Sequence, residues 1–134
     1  VAMEKMNRLL SGIVFVVVAV TVITLRPDKG PPPADAWFQK AVLESSKPVV
    51  VKFGAEWCGP CRSMDEAIKQ LRPKLSSKAD FFVVDIDQKP ELFQHYGSGS
   101  GIPQVMIFTR GEVVSSQRGF GSVEQLESWI DHNI

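Results

Sequence analysis

Both cysteines of this 134-residue chain lie in one short segment, Trp57-Cys58-Gly59-Pro60-Cys61. The segment follows an unbroken β-branched run, Val49–Phe53, and precedes a stretch whose apolar residues recur at helical spacing. Pro60 suits the first turn of a helix, where its missing N–H would have no partner in any case. The pattern therefore predicts a buried strand, a tight turn and a helix that begins at the cysteines.

A Cys-x-x-Cys pair at a helix N-terminus can form and break a disulfide, because unpaired N–H groups and the helix dipole stabilise a thiolate there. Cys58 is expected at the exposed helix tip as the attacking thiol. Cys61, one turn further in, is expected to be shielded and to resolve a mixed disulfide. Gly59 would let the backbone of a substrate approach closely.

Two other uses of the cysteines are possible. A structural zinc site needs four ligands, and only His95 and His132 could join the two cysteines, at spacings that do not suit a metal. A permanently closed structural disulfide is possible outside the cytosol, but so tight a ring is easily reduced. The sequence therefore predicts redox chemistry at Cys58 and Cys61, with no metal and no cofactor beyond that disulfide.

The charge of the chain argues against a polyanionic partner. Fifteen basic residues balance fifteen acidic ones, so the net charge is zero. We found no basic patch with interleaved aromatic residues and no glycine-rich phosphate-binding loop in the sequence. Nucleic acids and nucleotides are therefore not expected as partners.

The region from about residue 35 to residue 134 resembles the thioredoxin family. The matching segments, in the order of the family, are Ala55–Cys61, Asp85–Pro90, Gly101–Pro103, Arg110–Val113 and Gly119. The resemblance implies an α/β fold with a central mixed β-sheet flanked by helices, and a thiol:disulfide oxidoreductase. It also implies a cis peptide bond between Ile102 and Pro103, which would line the substrate groove together with Trp57. Trp57, Gly59 and Pro60 would tune the redox chemistry.

Three departures from the family pattern stand out. The usual first strand has no counterpart, so it is expected to be missing or short. The loop Gly97–Gly101 is longer and expected to be more flexible than usual, and Gln104 follows Pro103 where a threonine is common. Lys52 occupies the position of a buried aspartate, and the usual partner lysine of that acid falls on Val83.

Lys52 allows two interpretations. Its ammonium could simply reach solvent at an edge of the fold. Alternatively, it could tune the cysteines, either as a cation that favours the Cys58 thiolate or as a base once burial has removed its proton. A buried ammonium needs a partner. The candidates are Asp65 and Glu66, with Asp85 behind them.

The N-terminal part differs in character. Leu9–Leu25 carries no charge and follows Lys5 and Arg8. At about 1.5 Å per residue this run would reach roughly 26 Å, near the lower limit for a bilayer span. We expect an uncleaved signal anchor. The alternatives are a cleaved signal peptide, for which Ala34-Asp35-Ala36 resembles a cleavage site, and a buried helix of a soluble protein.

These features predict a division into residues 1–25 as a signal anchor, 26–34 as a proline-rich spacer and 35–134 as a thioredoxin-like domain. The domain would lie on the periplasmic or another extracytoplasmic side of the membrane, or be secreted after cleavage.

The Gly-Pro pair between the cysteines favours reduction of protein disulfides, with electrons from an unidentified membrane partner. The alternative is a tethered binding or chaperone module whose cysteines do not turn over.

Overall fold

The computed structural model describes residues 1–24 and 29–134, with the backbone alone for residues 15–24. The chain divides into two compact units, residues Val1–Pro31 and Pro32–Ile134. The first unit contains helix α1, Ala2–Thr24. The predicted spacer, residues 26–34, lies partly outside the described residues, and the boundaries 1–25, 26–34 and 35–134 stay a prediction.

The predicted localisation needs correction. Within residues 1–24 and 29–134, we find no helix that combines the length and the apolar character needed to cross a bilayer. The prediction of a membrane-anchored domain on the periplasmic side is therefore wrong. The inferred membrane electron donor depends on that location and loses its support. The predicted anchor, Leu9–Leu25, also lies partly outside the described residues.

The second unit alternates strands and helices. In chain order its elements are α2 (Ala36–Phe38) continued by a π-helical turn (Gln39–Leu43), β1 (Val49–Gly54), α3 (Gly59–Leu75), β2 (Asp80–Asp85), α4 (Pro90–Tyr96), β3 (Gln104–Thr109), β4 (Glu112–Arg118) and α5 (Val123–Asn133). The four strands form one sheet in the order β2-β1-β3-β4. Strands β1 and β2 are parallel, whereas β3 is antiparallel to both β1 and β4. The predicted α/β fold with a central mixed sheet is confirmed.

Strand β1 is buried on both faces, as its unbroken β-branched sequence predicts. The core on one face of the sheet joins Val50, Val105 and Ile107 to apolar side chains of α3 and α5. The core on the other face joins Val49, Val51 and Phe53 of β1 to residues of α2, α4 and the π-helical turn. Because successive strand side chains alternate between faces, Lys52 points to the same side as Val50, toward α3.

In the described residues, the domain begins without the first strand of the family pattern, as the sequence predicts. Among the described residues, no strand precedes β1, and the short helix α2 comes first instead. Asp35 caps this helix, because its carboxylate accepts a hydrogen bond from the Phe38 N–H at 2.8 Å. Phe38 itself is fully buried in the core on that face. The chain thus fills this side of the sheet with a capped helical turn.

Candidate active site

The cysteine pair lies where β1 ends and α3 begins. Cys58 is the N-cap of α3, and its Sγ accepts a hydrogen bond from the Cys61 N–H at 3.2 Å. The two residues form a disulfide, with their Cα atoms 5.2 Å apart. An N–H at the start of the helix therefore points at the sulfur of Cys58. That arrangement stabilises negative charge on this sulfur once the disulfide is reduced.

The two cysteines differ in exposure, although less than the sequence predicts. Cys58 is 7% exposed and Cys61 is 0% exposed. The expectation of a well-exposed Cys58 is therefore wrong for the disulfide form. The cause is packing, because both cysteines belong to a small cluster with Ala55, against which Ile86 and Ile102 pack. Cys58 is nevertheless the more exposed of the two cysteines, which agrees with the prediction.

Trp57 and Gly59 form the open side of the site. Trp57 is 68% exposed, and its indole Nε1–H donates a hydrogen bond to the Asp87 carboxylate at 2.8 Å. Asp87 follows β2, whose C-terminal end lies beside that of β1 in parallel register. At Gly59, a Cβ would meet no atom of the described residues within 4 Å, so the space beside this backbone is open. The ring is thus held in place while its surface and the neighbouring backbone stay accessible.

Ile102 and Pro103 lie against the cysteines from the other side. The peptide bond between them is cis, as the resemblance implies. Ile102 packs on the cysteine cluster. Pro103 and Pro60 line a groove of about 540 Å³ that continues over Met64, Phe120 and the start of α5. The structure therefore brings together the segments 57–61 and 102–103 that the sequence predicts for the site.

The loop before Pro103 is anchored rather than free. Gln104 is 2% exposed, and its side-chain oxygen accepts a hydrogen bond from the Ser98 N–H at 3.2 Å. Its side-chain nitrogen donates to the hydroxyl groups of Ser98 at 2.8 Å and Ser116 at 3.2 Å. The buried amide thus ties Gly97–Gly101 to β4. Gln104 makes these bonds with its long side chain at a position where threonine is common in the family, and the flexibility of the loop stays a prediction.

Lys52 lies beneath the cysteines. Its side chain is 2% exposed, and its ammonium contacts the Asp65 carboxylate on α3 at 2.6 Å. The interpretation in which the ammonium reaches solvent does not match this burial. Of the predicted carboxylate partners, Asp65 makes the contact, while Glu66 lies on the exposed surface near Lys69. Val83 is the neighbour of Lys52 in the β1–β2 register.

Three residues of the site have roles that the sequence does not predict. Asp87 orients Trp57, Gln104 anchors the loop beside Pro103, and Phe120 lines the groove. A signal existed for Asp87, because it follows a strand whose parallel neighbour ends at the cysteines. For Gln104 and Phe120 the contacts come from the β3–β4 pairing and the entry to α5, which no local pattern indicates.

No cluster of three or more His, Cys, Asp or Glu side chains suited to a metal occurs in the described part of the chain.

Comparison with known proteins identifies the family. The family model for thioredoxin matches residues 32–132. A thioredoxin from Rickettsia bellii is 40% identical over 100 residues, which cover 75% of this chain and 94% of the relative. A thioredoxin from Rhodospirillum rubrum is 36% identical over 101 residues, with 75% and 96% coverage. Thioredoxin M4, chloroplastic, from Arabidopsis thaliana is 39% identical over 98 residues, with 73% and 50% coverage.

The matched region contains every strand of the sheet and the paired cysteines at the start of α3. A close cysteine pair on this fold acts on protein disulfides as substrates. The chain therefore belongs to the thioredoxin family and is a protein-disulfide oxidoreductase.

Proposed function

We propose that this protein reduces disulfides of client proteins through a dithiol–disulfide cycle of Cys58 and Cys61. The Cys58 thiolate attacks one sulfur of the client disulfide, and the other client sulfur leaves as a thiolate. Cys61 then attacks the Cys58 sulfur of the mixed disulfide, which closes the Cys58–Cys61 disulfide and releases the second client thiolate. The client gains two electrons and the protein loses two, so a separate donor must reduce the protein again.

The observation that carries this proposal is the difference in position and exposure between the two sulfurs. Cys58 lies at the N-cap with a helix N–H directed at its sulfur, and it retains some exposure, while Cys61 has none. A buried thiol cannot meet a client disulfide from solution. It can reach the neighbouring sulfur, since the two residues are one helical turn apart.

The surroundings of Cys58 support a protein as the substrate. The exposed ring of Trp57, the open backbone at Gly59 and the groove beside Pro60 and Pro103 together offer an extended surface next to the sulfur. An extended client segment can lie on such a surface with its disulfide at Cys58. We propose Trp57, Ile102 and Pro103 as the client-binding residues.

Reduction of insulin disulfides, followed by turbidity with dithiothreitol as the electron donor, tests the function. We expect the parent protein to accelerate the reaction, and the Cys58→Ser variant to fall to the background rate because it lacks the attacking sulfur. Prereduced and mixed with insulin in the absence of dithiothreitol, the Cys61→Ser variant should accumulate a mixed disulfide with insulin, visible on non-reducing gels. It has the same thiol-to-hydroxyl change and is the matched control.

The rival function is a binding module whose cysteines do not turn over. In that case all three proteins would show the same background rate, and no mixed disulfide would form with Cys61→Ser. The direction of the reaction needs a second measurement, the reduction potential of the Cys58–Cys61 couple in a glutathione redox buffer. A potential as low as that of reducing dithiols, about −270 mV, supports reduction of clients, and one near −120 mV would assign the protein to oxidation.

A further inference from the structure

Lys52 is a buried cation that the proposed cycle does not use. It lies in the middle of the central strand, where every other position is apolar or glycine. Taking an ammonium out of water is costly, and one ion pair does not by itself repay the cost. An apolar side chain would fill this position at lower cost, so the charge calls for a role other than stability.

The sulfur of Cys61 lies close to this cation. A Cβ built on Gly54 would lie 2.6 Å from Lys52 Nζ and 3.1 Å from Cys61 Sγ. Because both distances are measured from the same point, Lys52 Nζ and Cys61 Sγ are separated by at most the sum of the two, about 5.7 Å. Because position 54 is glycine, it places no side chain of its own between them. The ammonium and the buried sulfur therefore face each other across bare backbone.

Other charged groups border the same region. A cavity of about 530 Å³ lies beside Lys52 and is lined by Glu56, Arg62, Asp65 and Asp85 as well. Arg62 donates a hydrogen bond to the backbone carbonyl of Glu56 at 3.3 Å, which directs its charge toward the loop. Asp65 is the carboxylate in contact with the ammonium, and its own side chain is 42% exposed. The cavity thus leads from the buried cation to solvent.

We propose that the Lys52 ammonium, held by Asp65, stabilises the thiolate of Cys61 in the step that resolves the mixed disulfide. The inference rests on the proposed cycle and assigns Lys52 and Asp65 to the second half of it. The expectation from the sequence was an effect on the attacking thiol, Cys58. The geometry points instead to the buried thiol beside Gly54.

The chemistry of this step balances without a further reagent. The Cys61 thiol gives up its proton to solvent, and the ammonium offsets the charge left on sulfur. The Cys61–Cys58 bond forms while the bond from Cys58 to the client sulfur breaks. The client leaves as a thiolate and takes up a proton from solvent. Lys52 remains an ammonium throughout.

A coloured aromatic disulfide, dithiobis-nitrobenzoate, separates the two halves of the cycle. The fully reduced protein releases one coloured thiolate when Cys58 attacks and a second when Cys61 resolves the mixed disulfide. Stopped-flow absorbance therefore gives a rate for each cysteine. The rates are measured across a range of pH for the parent and for the variants Lys52→Met, Asp65→Asn and Glu66→Gln.

We expect Lys52→Met to slow the second release roughly tenfold at neutral pH, and to move the midpoint of its pH profile up by about one unit. The first release should change by less than about twofold, because it depends on Cys58. Asp65→Asn should slow the second release by a smaller factor. Glu66→Gln removes the same charge from the adjacent residue of α3 without touching Lys52, and should change neither rate.

Equal rates of the second release in the parent and Lys52→Met would overturn the proposal. So would a uniform slowing of both releases, which would indicate a general structural effect. Methionine fills the space of the lysine stem, so this variant is expected to fold, and its circular dichroism spectrum checks that it does. If the parent itself released only one coloured thiolate, the proposed cycle would fail rather than the role of Lys52.

Discussion

Two lysine–aspartate pairs lie on opposite faces of the sheet, and they differ in which partner is buried. Asp35 pairs with Lys89 on the face covered by α2 and α4, with side chains 13% and 33% exposed, respectively. Lys52 pairs with Asp65 on the face covered by α3, with 2% and 42% exposed. In the first pair the anion is the more buried partner. In the second pair it is the cation.

The partners of the buried charge explain the difference. The Asp35 carboxylate also accepts the Phe38 N–H at the start of α2, and Lys89 lies 5.5 Å from the centre of the Trp37 ring. This pair is part of the packing that begins the domain. In the described residues, Asp65 is the one hydrogen-bond partner of the Lys52 ammonium. The ammonium itself lies close to the sulfur of Cys61. We infer that the first pair stabilises the fold, whereas the second belongs to the site.

The largest change in the free energy of unfolding is expected when the buried cation loses its partner. Asp65→Ala should lower the free energy of unfolding by about 3 kcal/mol, because it leaves the Lys52 ammonium buried without a carboxylate. Lys52→Met should change it by less than about 1 kcal/mol, because the remaining Asp65 is already half in water. Urea unfolding of the oxidised proteins measures both values. Similar losses in the two variants would mean that the pair contributes as a unit and that its asymmetry has no consequence.

A smaller change in the free energy of unfolding is expected when the cap of α2 is removed. Asp35→Ala should cost about 1–2 kcal/mol, because it removes the hydrogen bond to the Phe38 N–H together with the Lys89 contact. Asp35→Asn is the matched control, since asparagine also caps helices well, and it should recover most of the loss. Neither variant should alter the two rates of thiolate release. A change in those rates would remove the functional distinction between the two pairs.

The smallest effect is a dependence of stability on pH. The hydrogen bond from Lys89, followed by that from the Phe38 backbone, lowers the pKa of Asp35 below its ordinary value of 3.8. The folded state therefore keeps this carboxylate ionised at a pH where the unfolded chain has taken up a proton. The stabilisation is present above about pH 4 and is lost as the pH falls through the lower folded-state pKa.

Unfolding free energies of the parent and Asp35→Asn, measured from about pH 6 down to about pH 2.5, check this sign. The advantage of the parent should shrink as the solution becomes acidic. An advantage that grew toward acid would show that the pKa of Asp35 is raised in the folded state.

Much of the fold follows from local patterns in the sequence. The β-branched run at 49–53, the Cys-Gly-Pro-Cys start of α3, and Asp35 as a helix cap each act within a few residues, and the structure has each of them. At the start of α5, Ser122 and Gln125 have the spacing of a capping box, and the structure has it in a modified form. Ser122 accepts the Gln125 N–H at 3.2 Å, while the Gln125 side chain accepts from Gly121 instead of Ser122.

By itself, the sequence determined the buried strand, the start of α3 and the cysteine pair, because a β-branched run, helix caps and a Cys-x-x-Cys spacing are local properties, and its motifs carried the resemblance to the family. Only the tertiary structure decided how exposed Cys58 is, which carboxylate meets Lys52 and how Gln104 anchors the loop before Pro103. Each of these depends on residues far apart in the chain that the sheet and α3 bring within contact distance. Contacts between side chains on different elements are set by packing, and a short stretch of sequence does not show which distant residue a side chain will meet.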